Sequence, residues 1–319
     1  MKKNVLQLAA CTLGALSLLA IPAIGAAQGK TRVTVKYPAK SVAGKPARAR
    51  VTVHARHHDD GITAGSPNLK SSAALVVDVG DGSMIYGKNT QNKTPIASIT
   101  KLMTSMVVLD ANLPPEETIY IDAADYDSIK HTGSRLAAGT GLPRREMLRL
   151  ALMSSENRAA ASLSRAYPGG TPAFVAAMNH KAAELAMFNT HFVDSTGLSS
   201  ENVSTAEDLV KMVKGAYEYP LIREFTTTSA HEVETVAGRS LQFRNSNGLV
   251  RNVNSSWEIG LSKTGYISEA GRCLVMQAKI AARPVIIVLL DSWGKQTRIG
   301  DANRIKKWLE TKLDRKPVG

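Results

Sequence analysis

The sequence is short of cysteine, with two in 319 residues. Cys11 lies in an apolar leader. Once that leader is removed only Cys273 remains, and no intramolecular disulfide can form whatever the redox state of the compartment. Cys273 belongs to the apolar run Cys273-Leu274-Val275-Met276, where a buried packing thiol is expected rather than a nucleophile. Beyond the leader no apolar run is long and uninterrupted enough to span a bilayer, and no internal repeat is visible. H-E-x-x-H is absent, which excludes the common helix-borne zinc peptidase site. His57-His58-Asp59-Asp60 offers only a weak metal-binding cluster, read more simply as solvated polar residues in a linker. Acid is missing altogether between Gln28 and His58.

What is present divides the chain in three. Met1-Lys2-Lys3 is a basic start, Val5 to Ile24 is apolar and small, and Gly25-Ala26-Ala27 ends in small residues, so residues 1–27 read as a cleaved secretory signal. Pro22, Gly25 and those small residues argue against an uncleaved anchor. Leu8-Ala9-Ala10-Cys11 has the outline of a lipoprotein box, but almost no apolar stretch precedes it. The net charge is +13. Lys2 and Lys3 leave with the signal, so +11 remains, and Lys30, Arg32, Lys36, Lys40, Lys45, Arg48, Arg50 and Arg56 leave only +3 for everything after them. The basicity thus belongs to residues 28–70, which with Pro38, Gly44 and Pro46 read as a disordered linker.

Residues 71–319 read as one globular domain. Ala73 to Val79 and Met84 to Lys88 are expected strands joined by Gly80-Asp81-Gly82-Ser83. Thr118 to Ile121 is a further short strand. From Asp122 to about Phe225 the pattern is mostly helical, with Pro143 to Met153, Pro172 to Met187 and Ser204 to Tyr217 as separate helices. Ser204 or Thr205 caps the last of these, with Glu207 in its first turn. Strands return at His231 to Val236, Leu241 to Arg244, Trp257 to Lys263, Gly271 to Ile280 and Pro284 to Asp291. Arg298 to Leu313 closes as a helix. The fold class is therefore α/β (α+β): one antiparallel sheet built from both ends of the chain and flanked by helices, with an inserted all-helical lobe, and a cleft between the two.

Three short motifs fall in order along this domain: Ser98-Ile99-Thr100-Lys101, Ser155-Glu156-Asn157 and Lys263-Thr264-Gly265. S-x-x-K, S-D-N and K-T-G form one catalytic set for acyl transfer, here with Glu at the centre of the second element. Each alone is weak. Ser292-Trp293-Gly294-Lys295 repeats the first and Ser200-Glu201-Asn202 the second. Context separates the copies. Ser98 opens a helical pattern (Leu102, Met103, Met106, Val107), so Lys101 at i+3 can reach its hydroxyl. Ser292 ends an apolar strand beside Gly294, with no helix to hold a lysine over it. Lys101 is also the only charge between Ser98 and Leu109, fewer than a solvated helix face carries.

With Pro95-Ile96-Ala97 before Ser98, Met153-Ser154 before Ser155, Asp194-Ser195-Thr196-Gly197-Leu198, Tyr266 after Gly265, and Arg298 to Trp308, the chain resembles the serine D-alanyl-D-alanine peptidases of the low-molecular-weight penicillin-binding proteins. That resemblance implies a β-lactamase/transpeptidase-like fold and no cofactor or metal. It implies peptidoglycan peptide stems as substrates and β-lactams as covalent inhibitors. It casts Ser98 as nucleophile, Lys101 as its base and Ser155 as proton relay. Asn157 would orient Lys101 and the substrate, and Lys263, Thr264, Gly265, Tyr266 and Arg298 would line the substrate site. Lys263 would be the cation that lowers the basicity of Lys101, and the N–H groups of Ser98 and Tyr266 would form an oxyanion hole.

Two features depart from carboxypeptidase members of that family. The chain ends soon after Trp308, where those members carry a further β domain and a membrane helix, and Tyr266 stands where they tend to have His. Both favour an anchorless, periplasmic endopeptidase branch, with a carboxypeptidase as the alternative. A class A β-lactamase needs an E-x-x-L-N glutamate, which is missing between Asn157 and Lys263. A wall-binding regulator with a decayed peptidase domain is disfavoured by three intact motifs. The basic linker suits an anionic wall polymer or membrane surface better than nucleic acid in an exported protein, and a linker without partner is the plainer alternative. The oligomeric state is not readable.

Overall fold

The computed structural model describes residues 65–314 apart from Val253. The expected signal, nearly all of the basic linker and His57-His58-Asp59-Asp60 lie outside the described residues.

Five strands form one antiparallel sheet in the order β2-β1-β11-β10-β9: β1 (Ser71–Asp78), β2 (Met84–Lys88), β9 (Glu258–Ile267), β10 (Gly271–Ile280) and β11 (Arg283–Ser292). Strands from the two ends of the chain thus pair directly, with Ala73 opposite Leu290 and Lys263 opposite Val275. Side chains alternate between faces along a strand, and both faces are covered. Leu75, Val275 and Val288 face the helices α1 (Thr100–Asp110) and α5 (Ala206–Tyr217). Val76, Leu274 and Leu289 face Ala302, Ile305 and Leu309 of the terminal helix α8 (Thr297–Asp314). This double cover explains the nearly unbroken apolar runs of β1, β10 and β11. Leu69 is also buried against the α8 side, so packing begins just ahead of β1.

Between β2 and β9 the chain forms β3 (Thr94–Pro95), paired with β6 (Val203–Ser204), and β4 (Thr118–Tyr120), paired with β5 (Gly141–Pro143). The helices α2 (Arg144–Met153), α3 (Asn157–Arg165), α4 (Gly170–Glu184), α6 (Pro220–Thr227) and α7 (Gly248–Arg251) complete the block. Thr205 caps α5 by accepting the N–H of Asp208 at 3.2 Å. Residues 126–140 carry no helix, and the inserted lobe includes the β4–β5 ladder. The sheet does not take in the strands expected at 231–236 and 241–244. β7 (Ala230–Glu234) and β8 (Ser240–Arg244) pair only with each other. Each buries a single residue, Val233 and Phe243, too little apolar surface for a strand inside a sheet covered on both faces.

One buried carboxylate ties the layers. Asp301 on α8 is fully buried and accepts the N–H groups of Lys70 (3.0 Å) and Ser71 (2.7 Å), the Ser71 hydroxyl (2.5 Å) and Arg304. The Ser71 hydroxyl also lies 2.7 Å from that of Ser292. The second S-x-x-K is therefore part of a structural joint: Ser292 is buried and Lys295 is exposed. Burial alone would raise the Asp301 carboxyl, but donors from Lys70, Ser71 and Arg304 hold it below its ordinary value. Such a group stabilises the fold above the unfolded value of about 4, and that contribution is lost as pH falls through the lower folded value. Asp301→Ala is expected to cost about 2–4 kcal/mol, since it strands several buried donors. Denaturant titration at pH 7 and again near pH 3 checks this: the gap from wild type should shrink at low pH.

Candidate active site

Ser98 sits in a single 3-10 turn, Ala97–Ile99, immediately ahead of α1. The turn is forced into place from two sides. Ala97 has φ +48°, a left-handed conformation that is strained for a residue with a side chain. Gly197 (φ +79°) lies against it so closely that an added Cβ would stand 2.0 Å from the Ala97 carbonyl oxygen. On the other side a Cβ on Gly265 would stand 2.8 Å from the Ile96 oxygen and 3.2 Å from the Ser98 nitrogen. Ser98 itself is half-buried, and its hydroxyl accepts from Lys101.

Lys101 is fully buried in the first turn of α1. Its Nζ donates to Ser98 Oγ (3.0 Å), Asn157 Oδ1 (2.8 Å) and the Thr196 carbonyl (2.6 Å). α1 is buried from Thr100 to Val108 and has no solvated face. Its polar residues are bonded internally: Thr104 to the Ser195 carbonyl (2.6 Å), Ser105 to the Lys101 carbonyl (2.7 Å), and Thr100 from Asn202 Nδ2 (3.1 Å). Asn202, from the second S-E-N, is thus a buried brace. Burial lowers the Lys101 pKa to about 7, against the opposing pull of Asp194, Glu156 and Asp127. Desolvation, rather than Lys263, is the leading cause.

Lys263, also buried, projects from the middle of β9 and donates to Ser155 Oγ (2.8 Å) and its neighbour's carbonyl at Thr264 (3.0 Å). Burial depresses its basicity well below the ordinary value, and the Lys101 and Arg298 cations add to this. Ser155 occupies the three-residue link between α2 and α3 with φ +63°, an αL geometry that turns its side chain towards β9. Thr264 Oγ1 donates to Ser246 Oγ (2.8 Å). Arg298, at the start of α8, donates to the carbonyls of Gly265 (2.7 Å) and Cys273 (3.1 Å). Burial, then the Arg272 cation, lowers its pKa to about 10. Tyr266 follows Gly265 and is 55% exposed, with the Arg272 guanidinium 4.3 Å from its ring centre. The nine residues singled out by the motifs and the resemblance thus gather in one place.

Several supports carried no local signal of their role. Asp194 holds its loop by accepting the N–H groups of Thr196 (2.5 Å), Gly197 (2.6 Å) and Ser199 (2.9 Å). This aims the Thr196 carbonyl at Lys101. The Asp-Ser-Thr-Gly run is a turn signature that could have flagged the loop, but not its target. Glu156 is held by Ser134 Oγ (2.7 Å), and burial raises its pKa. Asn157 Nδ2 donates to Thr132 Oγ1 (2.9 Å), in a loop knotted by Asp127 and joined to the β9–β10 turn by the Lys130–Glu269 ion pair. Among the described residues no group of three His, Cys, Asp or Glu side chains could hold a metal ion, and no helix is long and apolar enough to cross a membrane. Cys273 is buried, and burial pushes its thiol up to about 11.

A family model described as D-alanyl-D-alanine carboxypeptidase matches residues 60–294. The chain is 49% identical over 255 residues to a D-alanyl-D-alanine endopeptidase of Pseudomonas aeruginosa, covering 78% of this chain and 81% of that one. It is 47% identical over 251 residues to a D-alanyl-D-alanine endopeptidase of Escherichia coli, covering 78% and 80%. The crystal structure of the Streptomyces K15 DD-transpeptidase superposes with a TM-score of 0.70 at 28% identity, covering 76% of this chain and 98% of that one. A buried lysine on a serine at a helix start, a second buried lysine on Ser155, the sheet-and-lobe fold around them and these matches agree, and the chain belongs to the S11 family of D-alanyl-D-alanine peptidases.

Proposed function

We propose that this protein is an exported serine D-alanyl-D-alanine endopeptidase that opens peptide cross-links in peptidoglycan through an acyl-enzyme on Ser98. The observation that carries the reading is the 3.0 Å contact from a fully buried Lys101 to Ser98 Oγ, with the lysine pKa brought to about 7. A neutral amine there takes the serine proton, and Oγ attacks the D-alanyl carbonyl. The N–H groups of Ser98 and Tyr266 receive the developing oxyanion, a role supported by the packing of Gly265 on the Ser98 nitrogen. When the C–N bond breaks, Ser155 passes a proton to the departing amine, supported by its bond from Lys263. Asn157 steadies Lys101, and water then releases the acyl group. Lys263, Thr264 and Arg298 hold the carboxylate beside the scissile bond by charge-assisted hydrogen bonds. β-Lactams would be captured on Ser98 by the same steps.

Cleavage of cross-links rather than trimming of terminal D-alanine is supported by the names of the relatives at 49% and 47% identity. Residues 1–27 serve as the export signal to the periplasm, and residues 28–70 join it to the catalytic domain and rest on an anionic wall or membrane surface. A cross-linked D-alanyl-diaminopimelyl dimer should be split with a higher kcat/KM than that for loss of D-alanine from a free pentapeptide, since specificity is the ratio of these values. If the pentapeptide is the better substrate, the enzyme is a carboxypeptidase.

A further inference from the structure

One cation at the rim of the cleft takes no part in these steps. Arg272 opens β10 and stands opposite Tyr266 across the ladder, one residue beyond Gly265. Its guanidinium lies 4.3 Å from the Tyr266 ring centre. A guanidinium over a ring keeps its N–H donors available, and no other group among the described residues uses them, so they can grip a carboxylate bidentately. Arg298 is close by: it donates to the carbonyls of Cys273, the residue after Arg272, and of Gly265 opposite it in the ladder. Among the described residues Arg298 bonds only to the Gly265 and Cys273 carbonyls, Arg272 contacts the Tyr266 ring, and neither meets a carboxylate. The Arg298 Nε is buried without a partner. Two like charges close together repel, and an anion between them would relieve that repulsion. Elsewhere in this domain the arginines at 144, 165, 283 and 304 each meet an acid, and those stacked on rings at 135, 158 and 223 each also donate to a backbone carbonyl, whereas Arg272 does neither. The pair beside Gly265 thus keeps donor capacity that no group of the described residues uses.

Arg298 has an assignment already, the carboxylate next to the scissile bond. A free pentapeptide offers only that carboxylate at its reacting end. A cross-linked substrate continues past it into a second stem, which carries further carboxylates. We infer that Arg272, placed over the Tyr266 ring beside Arg298, is a specificity-determining residue that binds a second carboxylate on the leaving-side stem of a cross-linked peptide. This rests on the endopeptidase reading and names the feature of the substrate that the site would select. It also gives Tyr266 a use for its side chain, separate from that of its backbone N–H.

The test uses the mature protein and two cross-linked peptide dimers. Both keep the carboxylate beside the scissile bond. In one the carboxylates of the leaving-side stem are free, and in the other they are amidated. Wild type is expected to favour the free-acid dimer by about tenfold or more in kcat/KM, mostly through KM, as a charge-assisted pair implies. Arg272→Gln should lose that preference and treat the two dimers alike. Arg272→Lys should retain part of it, because it keeps the charge and loses the fork. Thermal unfolding of each variant, matched to wild type, establishes that the change is not one of folding. If Arg272→Gln keeps the wild-type preference, or wild type shows none, the inference is overturned while the endopeptidase reading stands. A wild type that cleaves neither dimer but trims a pentapeptide overturns both.

Discussion

Ser98→Ala is expected to reduce covalent capture of a labelled penicillin to background, while Ser292→Ala leaves capture intact. The two serines head the same four-residue pattern and differ only in surroundings. Ser98 Oγ has the Lys101 amine at 3.0 Å, whereas Ser292 Oγ has the Ser71 hydroxyl at 2.7 Å, and Lys295 is in solvent. A serine without a base is a poor nucleophile. Lys101→Met should therefore slow acylation by about 10²–10⁴-fold, the usual contribution of a positioned base, with the fold retained, since methionine suits a fully buried position. Mass spectrometry of the intact protein after β-lactam exposure reads both variants. Adduct formation on the Ser98→Ala protein would remove the serine from the mechanism.

The pH dependence follows from the same lysine. Burial brings its pKa to about 7. Below that value the ammonium form cannot accept the Ser98 proton, so acylation should rise with pH through about 7 and level off above it. An exposed lysine would place that limb near 10.4. Lys263 also sits well below its ordinary value because of burial and two neighbouring cations.

How much of this was legible in the sequence depends on the range of each interaction. Ser98 and Lys101 are three residues apart, and helical spacing alone brought them together. The nearly continuous apolar strands β10 and β11 were readable to within a residue or two, because burial on both faces leaves no polar positions. β7 and β8 were readable as strands but not as a separate hairpin, since pairing partners are set by packing that alternation does not encode. α3 escaped as a separate helix because its buried face is made of Ala159, Ala160, Ser162 and Ser164, with Leu163 as its single large apolar side chain. Residues 126–140 looked helical only by their neighbours; Asp127 instead ties that chain into a loop through the N–H groups of Ile129, Lys130 and Thr132. The third acceptor of Lys101, the Thr196 carbonyl, is separated from it by 95 positions and is a backbone atom, invisible to any reading of side chains. Asp194 aims that carbonyl from a motif that resemblance could quote but spacing could not place.

Gly197 is the sharpest case of such a hidden requirement. Gly197→Ala is expected to lower the acylation rate at Ser98 by about 100-fold or more, although residue 197 has no part in the chemistry. The added Cβ would stand 2.0 Å from the Ala97 oxygen, 2.3 Å from the Ala97 carbonyl carbon and 2.9 Å from the Ser98 nitrogen. These are backbone atoms of the turn that carries the nucleophile and cannot swing aside as a flexible side chain does. The turn or the Asp194 loop must shift, and a displacement of about 1 Å at a reacting group costs on the order of 10² in rate. The αL backbone at φ +79° adds about 1–2 kcal/mol for a residue with a Cβ, and the collision a further 1–3 kcal/mol or so. A fall of several degrees in Tm should accompany the loss of rate. Gly139→Ala separates the two contributions: its φ is +78°, yet nothing lies within 4 Å of the added Cβ. It should show a small loss of stability and wild-type acylation. Equal behaviour of the two variants would mean that backbone strain alone is at work and that the contact between Gly197 and the Ser98 turn does not hold the nucleophile in place.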